Sequence, residues 1–231
     1  MKGDAYLTVR STSVVLDPVG GARGERVVRL ARAACIEALD LAPADLPGAL
    51  EAANARVREA AREDTSLLGG TCSAVGVVLE PTSVTVAWMG DACALRYRGT
   101  TLTLLTQPHV LVREYQRMAM LDPEFPPPDL LVRAIGARDD AEVEVRSEAV
   151  QPGDLFLLAT DAVLRAFGDG LDDFMAQAVA RSGRSASALS RELLAGAWAR
   201  NDGNVLTVLV TGAGDDDELR PMAASSFPKS A

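Results

Sequence analysis

Five aspartates in this chain flank strongly apolar runs, and that pattern is where chemistry is expected. Leu155-Phe156-Leu157-Leu158-Ala159-Thr160-Asp161 has the length of a strand and ends in a carboxylate with nothing nearby to neutralise it. Ser13-Val14-Val15-Leu16 runs into Asp17, and Val84 to Gly90 runs into Asp91. Asp4 precedes an apolar run, and Asp202 stands just ahead of Val205-Leu206-Thr207-Val208-Leu209-Val210. An Asp at a strand end ordinarily forms a turn or caps a helix, because its side chain bonds nearby backbone N–H groups. Several together at one sheet edge would repel and raise each other's pKa unless a cation sat between them. Oxygen ligands without His or Cys select Mg²⁺ or Mn²⁺ over zinc. Two such ions about 3.5–4 Å apart activate water and clamp the oxygens of an in-line phosphoryl displacement.

Composition narrows the alternatives. The 231 residues carry 32 acidic and 23 basic side chains, a net charge of −9, which argues against a nucleic-acid or anionic-membrane surface. No apolar run reaches the roughly 18–20 residues of a membrane span, and the first residues do not read as a signal peptide, so a cytoplasmic protein is expected. Cys35, Cys72 and Cys93 are too far apart for a C-x-x-C pair and read as buried thiols. A single His109 excludes a zinc site with two or three His ligands. Ala and Arg richness hints at a GC-rich bacterial genome.

The elements that must position these aspartates alternate in period. Ala5 to Val9 and Thr12 to Leu16 read as strands, followed by a loop over residues 18–24. Helices are expected from Glu25 to Leu39 and from Ala49 to Arg62. Strands follow at Thr71–Leu79, Ser83–Met89, Ala94–Arg98 and Thr101–Leu105, with connections short enough for antiparallel hairpins. A helix over Val110–Met118 precedes a proline-rich loop over Leu121–Pro128 and strands at Leu130–Ile135, Glu142–Glu148 and Asp154–Ala159. Asp161, followed by Ala162-Val163-Leu164, looks like a plain helix N-cap. Helices Leu171–Ala180 and Ser187–Ala199 and a strand Val205–Thr211 close the order. The fold class is α+β, two packed antiparallel sheets with helices outside. Residues 1–212 form the domain, and 213–231 an acidic and polar flexible tail.

Eight segments, in order, resemble the PPM (type 2C) metal-dependent Ser/Thr protein phosphatases. They are Gly3-Asp4-Ala5-Tyr6, Val15 to Gly21 with Gly24-Glu25, Gly70 to Ala74, Val86 to Ala92, Leu105 to His109, Leu131 to Gly136, Pro152-Gly153-Asp154 with Ala159-Thr160-Asp161, and Asp202 to Thr207. The resemblance implies a four-layer α-β-β-α sandwich. It implies that Asp17 bridges two Mn²⁺ or Mg²⁺ ions, with the Pro18 carbonyl, Asp161 and Asp202 completing the shell. Asp91, at a weaker third position, and Asp4 are less certain ligands. A metal-bound hydroxide would then hydrolyse phosphoserine or phosphothreonine in a phosphoprotein, opposite a cognate Ser/Thr kinase system, and the protein would act as a monomer. The family's phosphate-binding Arg belongs a few residues ahead of Asp4; here Lys2, Arg10, Arg23 or a residue upstream of Met1 would serve. His109 corresponds to a non-ligating position and is expected to be structural. Pro18, Gly3, Ala92 and Ala162 depart from the family pattern. Two functions therefore stay open: a working phosphatase, favoured because the directly placed aspartates are present, and a pseudophosphatase acting as a binding or regulatory module.

Overall fold

Apolar residues occupy consecutive positions along several strands because both faces of each sheet are covered. The computed structural model describes residues 4–118, 120, 130–200 and 208–212. One sheet comprises β1 (Ala5–Val9), β2 (Thr12–Val19), β3 (Thr71–Leu79), β4 (Ser83–Met89) and β7 (Glu144–Ala149), adjacent in that order. The other runs β6 (Thr101–Leu104), β5 (Cys93–Arg98), β8 (Leu155–Ala159), β9 (Val208–Gly212). Every pairing is antiparallel.

The core has three layers. Helices α1 (Ala22–Leu41) and α2 (Leu46–Glu63) pack Val27, Ala31, Leu39 and Leu50 onto Val14, Leu16 and Ala74 of the first sheet. Between the sheets lie Val15, Val75, Val86, Trp88, Phe156 and Leu158. Beneath the second sheet, α4 (Asp161–Phe167), α5 (Leu171–Ser182) and α6 (Ala186–Trp198) cover Leu155, Leu157 and Ala159. The period of two sends Val14 and Leu16 to the helices and Val15 to the partner sheet. The expected α-β-β-α sandwich is therefore present. A short α3 (Leu111–Arg117) lies outside these layers in the chain order.

Several local expectations need correction. The loop expected from Pro18 to Gly24 is instead the end of β2 and the start of α1, with only Gly20-Gly21 between them. Pro18 pairs with Cys72 of β3 beyond the last β1–β2 pair, Ala5–Leu16, so a strand accommodates it at its end. Residues 130–135 form isolated bridges, Leu131 with Val110 and Ile135 with Cys72, and not a strand. Asp161 is the first residue of α4 and Thr160 its N-cap. Among the described residues no helix is long and apolar enough to cross a membrane. The tail at 213–231 and the proline-rich loop at 121–128 lie outside the described residues.

Candidate metal centre

Antiparallel pairing brings one end of β2, β4 and β8 to a common edge. Asp17 lies opposite Ser73 of β3, and one step beyond the Ala5–Leu16 pair puts Asp4 beside it. Met89, opposite Ala74, leads through Gly90, Asp91 and Ala92 into β5, so Asp91 sits where the chain crosses between sheets. Cys93 opposite Ala159 then brings Asp161 to the same edge from the second sheet. Val208 pairs with Ala159, so β9 starts at that end of β8; Asp202 itself lies outside the described residues.

The electrostatics are those of a carboxylate cluster. Burial pushes Asp17 well above the ordinary carboxylate range, and the charges of Asp4, Asp161 and Asp91 push it further. Asp4 is the nearest of these in the ladder, and its side chain favours the protonated form of Asp17. Burial and the Asp161 charge also raise Asp91, against a hydrogen bond from Ser73. Asp91 Oδ1 is buried without a hydrogen-bond partner. An orphaned anionic oxygen beside protonation-prone carboxyls suits a hard divalent cation, which supplies the missing charge and coordination. No three His, Cys, Asp or Glu side chains among the described residues are close enough to form a finished metal cage. Asp161 Oδ2 accepts from Arg165 Nη1, one turn along α4.

A second set of groups holds Asp91 in place. Gly90 has φ +116, and a Cβ there would stand 2.2 Å from the Ser73 Cβ, so only glycine lets the chain pass β3 so closely. Ser73 Oγ accepts from the Ala92 N–H at 3.0 Å. His109 is buried, stacks on Trp88 with ring centroids 6.1 Å apart, and accepts from the Gly90 N–H through Nδ1 at 3.0 Å. That bond leaves the imidazole proton on Nε2, which donates to Glu144 Oε2 at 2.9 Å. Burial pushes His109 below its ordinary pKa, assisted by the Arg133 charge and opposed by the Glu144 bond. His109 thus behaves as the expected structural residue.

The departures from the phosphatase pattern are mild in backbone terms. Arg10 is the one described non-glycine residue with positive φ, so Pro18, Ala92 and Ala162 all adopt backbone open to any L-residue. The phosphate-binding candidates fare differently. Arg10 sits in the β1–β2 turn at the far end of β2, roughly 20 Å of extended chain from Asp17, and does not belong to the site. Arg23 is on the first turn of α1 with Nη1 donating to the Leu68 carbonyl at 3.3 Å. Lys2 and Gly3 lie outside the described residues. Arg165 was not anticipated, although its spacing of four residues from Asp161 on a helix is a recognisable pair. Asp154, in the Pro152-Gly153-Asp154 turn, is structural: it is 1% exposed, accepts from Gln151 N–H, and receives both ends of the Arg98 guanidinium at 2.8 and 2.6 Å.

No family model matches the chain. The Serine/threonine phosphatase stp of Listeria welshimeri is 27% identical over 164 residues, 65% of this chain and 65% of that protein's length. PppA of Pseudomonas aeruginosa, a regulatory component of the type VI secretion system, superposes with a TM-score of 0.74 at 25% identity, covering 90% of this chain and 89% of that one. The catalytic domain of the phosphatase PstP, solved with two manganese ions, gives a TM-score of 0.70 at 21% identity over 91% and 90% of the two chains. Sandwich, strand-end aspartates and sequence likeness agree in making the chain similar to the PPM Ser/Thr phosphatases.

Proposed function

We propose that the protein is a divalent-cation-dependent phosphatase that removes phosphate from phosphoserine or phosphothreonine in a phosphoprotein. The observation carrying this reading is the convergence of Asp4, Asp17, Asp91 and Asp161 on one sandwich edge, with Asp91 Oδ1 buried and unpaired. Asp17 and Asp161, with the Pro18 carbonyl and Asp202, would hold two ions, and Asp91 would serve a further position. Mn²⁺ is supported by the two manganese ions of the PstP domain, and Mg²⁺ satisfies the same oxygen donors. When bound, the ions supply Lewis-acid charge and lower the pKa of a coordinated water.

The chain's own groups have separate tasks. Asp17, which burial and its acidic neighbours keep protonated, would give up its proton in order to ligate. Ser73, His109 and Gly90 fix the Asp91 turn, so its carboxylate need not reorganise when charge develops. Buried apolar walls from Ala92, Ala159 and Ala162 limit water behind the cluster.

Hydrolysis of a phosphothreonine peptide, with and without Mn²⁺, tests this reading. Cation-dependent release of phosphate that is lost in Asp17→Ala supports it. Turnover that persists in Asp17→Ala contradicts the role of the cluster, and Mn²⁺ binding without turnover assigns the protein to a binding role.

A further inference from the structure

We propose that Arg165 is the residue that holds the substrate's phosphoryl oxygens, parked on Asp161 until the cations displace it. The inference rests on the phosphatase reading for its substrate class, but the contact that motivates it is a property of this chain. Arg165 Nη1 donates to Asp161 Oδ2, and the Arg165 charge is close enough to Asp91 to favour its ionised form. The guanidinium therefore sits on one of the carboxylates that would receive metal, with a second, Asp91, within reach of its charge.

Its exposure suits a movable role. The Arg165 side chain is 59% exposed and that of Asp161 27%, so the guanidinium approaches from the solvent side, where a phosphopeptide must arrive. An exposed i,i+4 pair contributes little to stability, so a divalent cation at Asp161 displaces it readily. Released, the side chain needs only rotamer changes to present its fork to a phosphate dianion held over the ions.

Three other arginines have partners of their own. Arg23 bonds the Leu68 carbonyl, Arg26 pairs with Asp64 at 2.7 Å, and Arg133 lies 3.9 Å from Glu144. Each pairs with a group other than the four aspartates, whereas the partner of Arg165 is one of them.

The test titrates chelator-treated wild type, Arg165→Gln and Arg165→Lys with Mn²⁺ by calorimetry. Each Mn²⁺-loaded protein is then titrated with inorganic phosphate, followed by phosphorus NMR relaxation, and assayed on an aryl phosphate. Arg165→Gln is expected to bind Mn²⁺ as tightly as wild type or several-fold tighter, since a competing cation is gone. Its phosphate affinity should fall about tenfold or more, the loss of a charge-assisted hydrogen bond, with KM rising more than kcat falls. Arg165→Lys should recover part of the affinity. Unchanged phosphate affinity in Arg165→Gln, or Mn²⁺ affinity reduced several-fold, would overturn the assignment. Wild type that binds phosphate through Arg165 without hydrolysing the aryl phosphate supports Arg165 as an anion-binding residue and contradicts only the phosphatase reading.

Discussion

The backbone N–H of Gly90 donates to His109 Nδ1 at 3.0 Å, and this bond ties the turn carrying Asp91 to the buried imidazole. The other ring nitrogen reaches Glu144 on β7, the edge strand of the first sheet. Asp91 is consequently aimed by groups that have no part in ligation. Asp161, by contrast, stands on the first turn of α4 and pairs with the exposed Arg165.

His109→Ala removes the acceptor for Gly90 and is expected to cost about 1–3 kcal/mol, the penalty of an unsatisfied buried N–H, before any loss of ring packing. Chemical denaturation measures it. Turnover should fall as well, because Asp91 loses its support.

The same residue predicts a pH dependence. Burial holds the folded-state pKa of His109 below its ordinary value near 6.5, so the unfolded chain takes up the proton first. The stability that neutral His109 contributes is therefore present above about pH 6.5 and is lost as pH falls through the lower folded-state value. The difference in unfolding free energy between wild type and His109→Ala should shrink on acidification, while a pH-independent difference would argue against a neutral buried ring.

Arg98→Met strands a carboxylate. Asp154 is buried while Arg98 is about a third exposed, so the variant should lose about 1–3 kcal/mol, the penalty of a buried acceptor left without its donor. Asp154→Asn in the same background should restore part of it by removing the unpaired charge. Thermal unfolding of the single and double variants reads both effects.

Asp17→Asn separates stability from function. Because burial and its acidic neighbours raise the Asp17 pKa, the folded, metal-free protein favours the protonated form. That contribution is complete below the ordinary carboxylate value and is lost as pH rises through the raised one. Asp17→Asn should stabilise the metal-free protein at neutral pH by about 1–2 kcal/mol, in the manner of other neutralised active-site groups, while abolishing cation-dependent turnover. The stabilisation should grow with pH in a thermal-shift series containing chelator.

Much of this was legible in the residues themselves. Consecutive apolar positions from Val84 to Met89 and from Leu155 to Ala159 marked strands buried on both faces, and short connections marked antiparallel pairing. The strand-end positions of Asp17, Asp91 and Asp161 were enough to suggest a shared edge, because period and pairing alone decide which end each residue occupies. What local pattern could not supply was tertiary context. Pro18 reads as a loop former, yet β3 continues past the end of β1 and keeps it in the ladder. Leu131 to Ile135 has strand composition but finds only the single bridges to Val110 and Cys72. Arg10 and Arg165 show the same lesson in opposite directions: Arg10 is nearer in sequence to Asp17 but at the wrong end of its strand, whereas Arg165 reaches the cluster through one helical turn.

The central claim is that the aspartates at the sandwich edge form a cation centre, and calorimetric titration of chelator-treated protein with Mn²⁺ addresses it most directly. Wild type should bind two ions with proton release at neutral pH, as Asp17 gives up its proton, and Asp17→Asn should lose the tighter ion. Absence of binding in wild type, or binding of equal affinity in Asp17→Asn, would contradict the account.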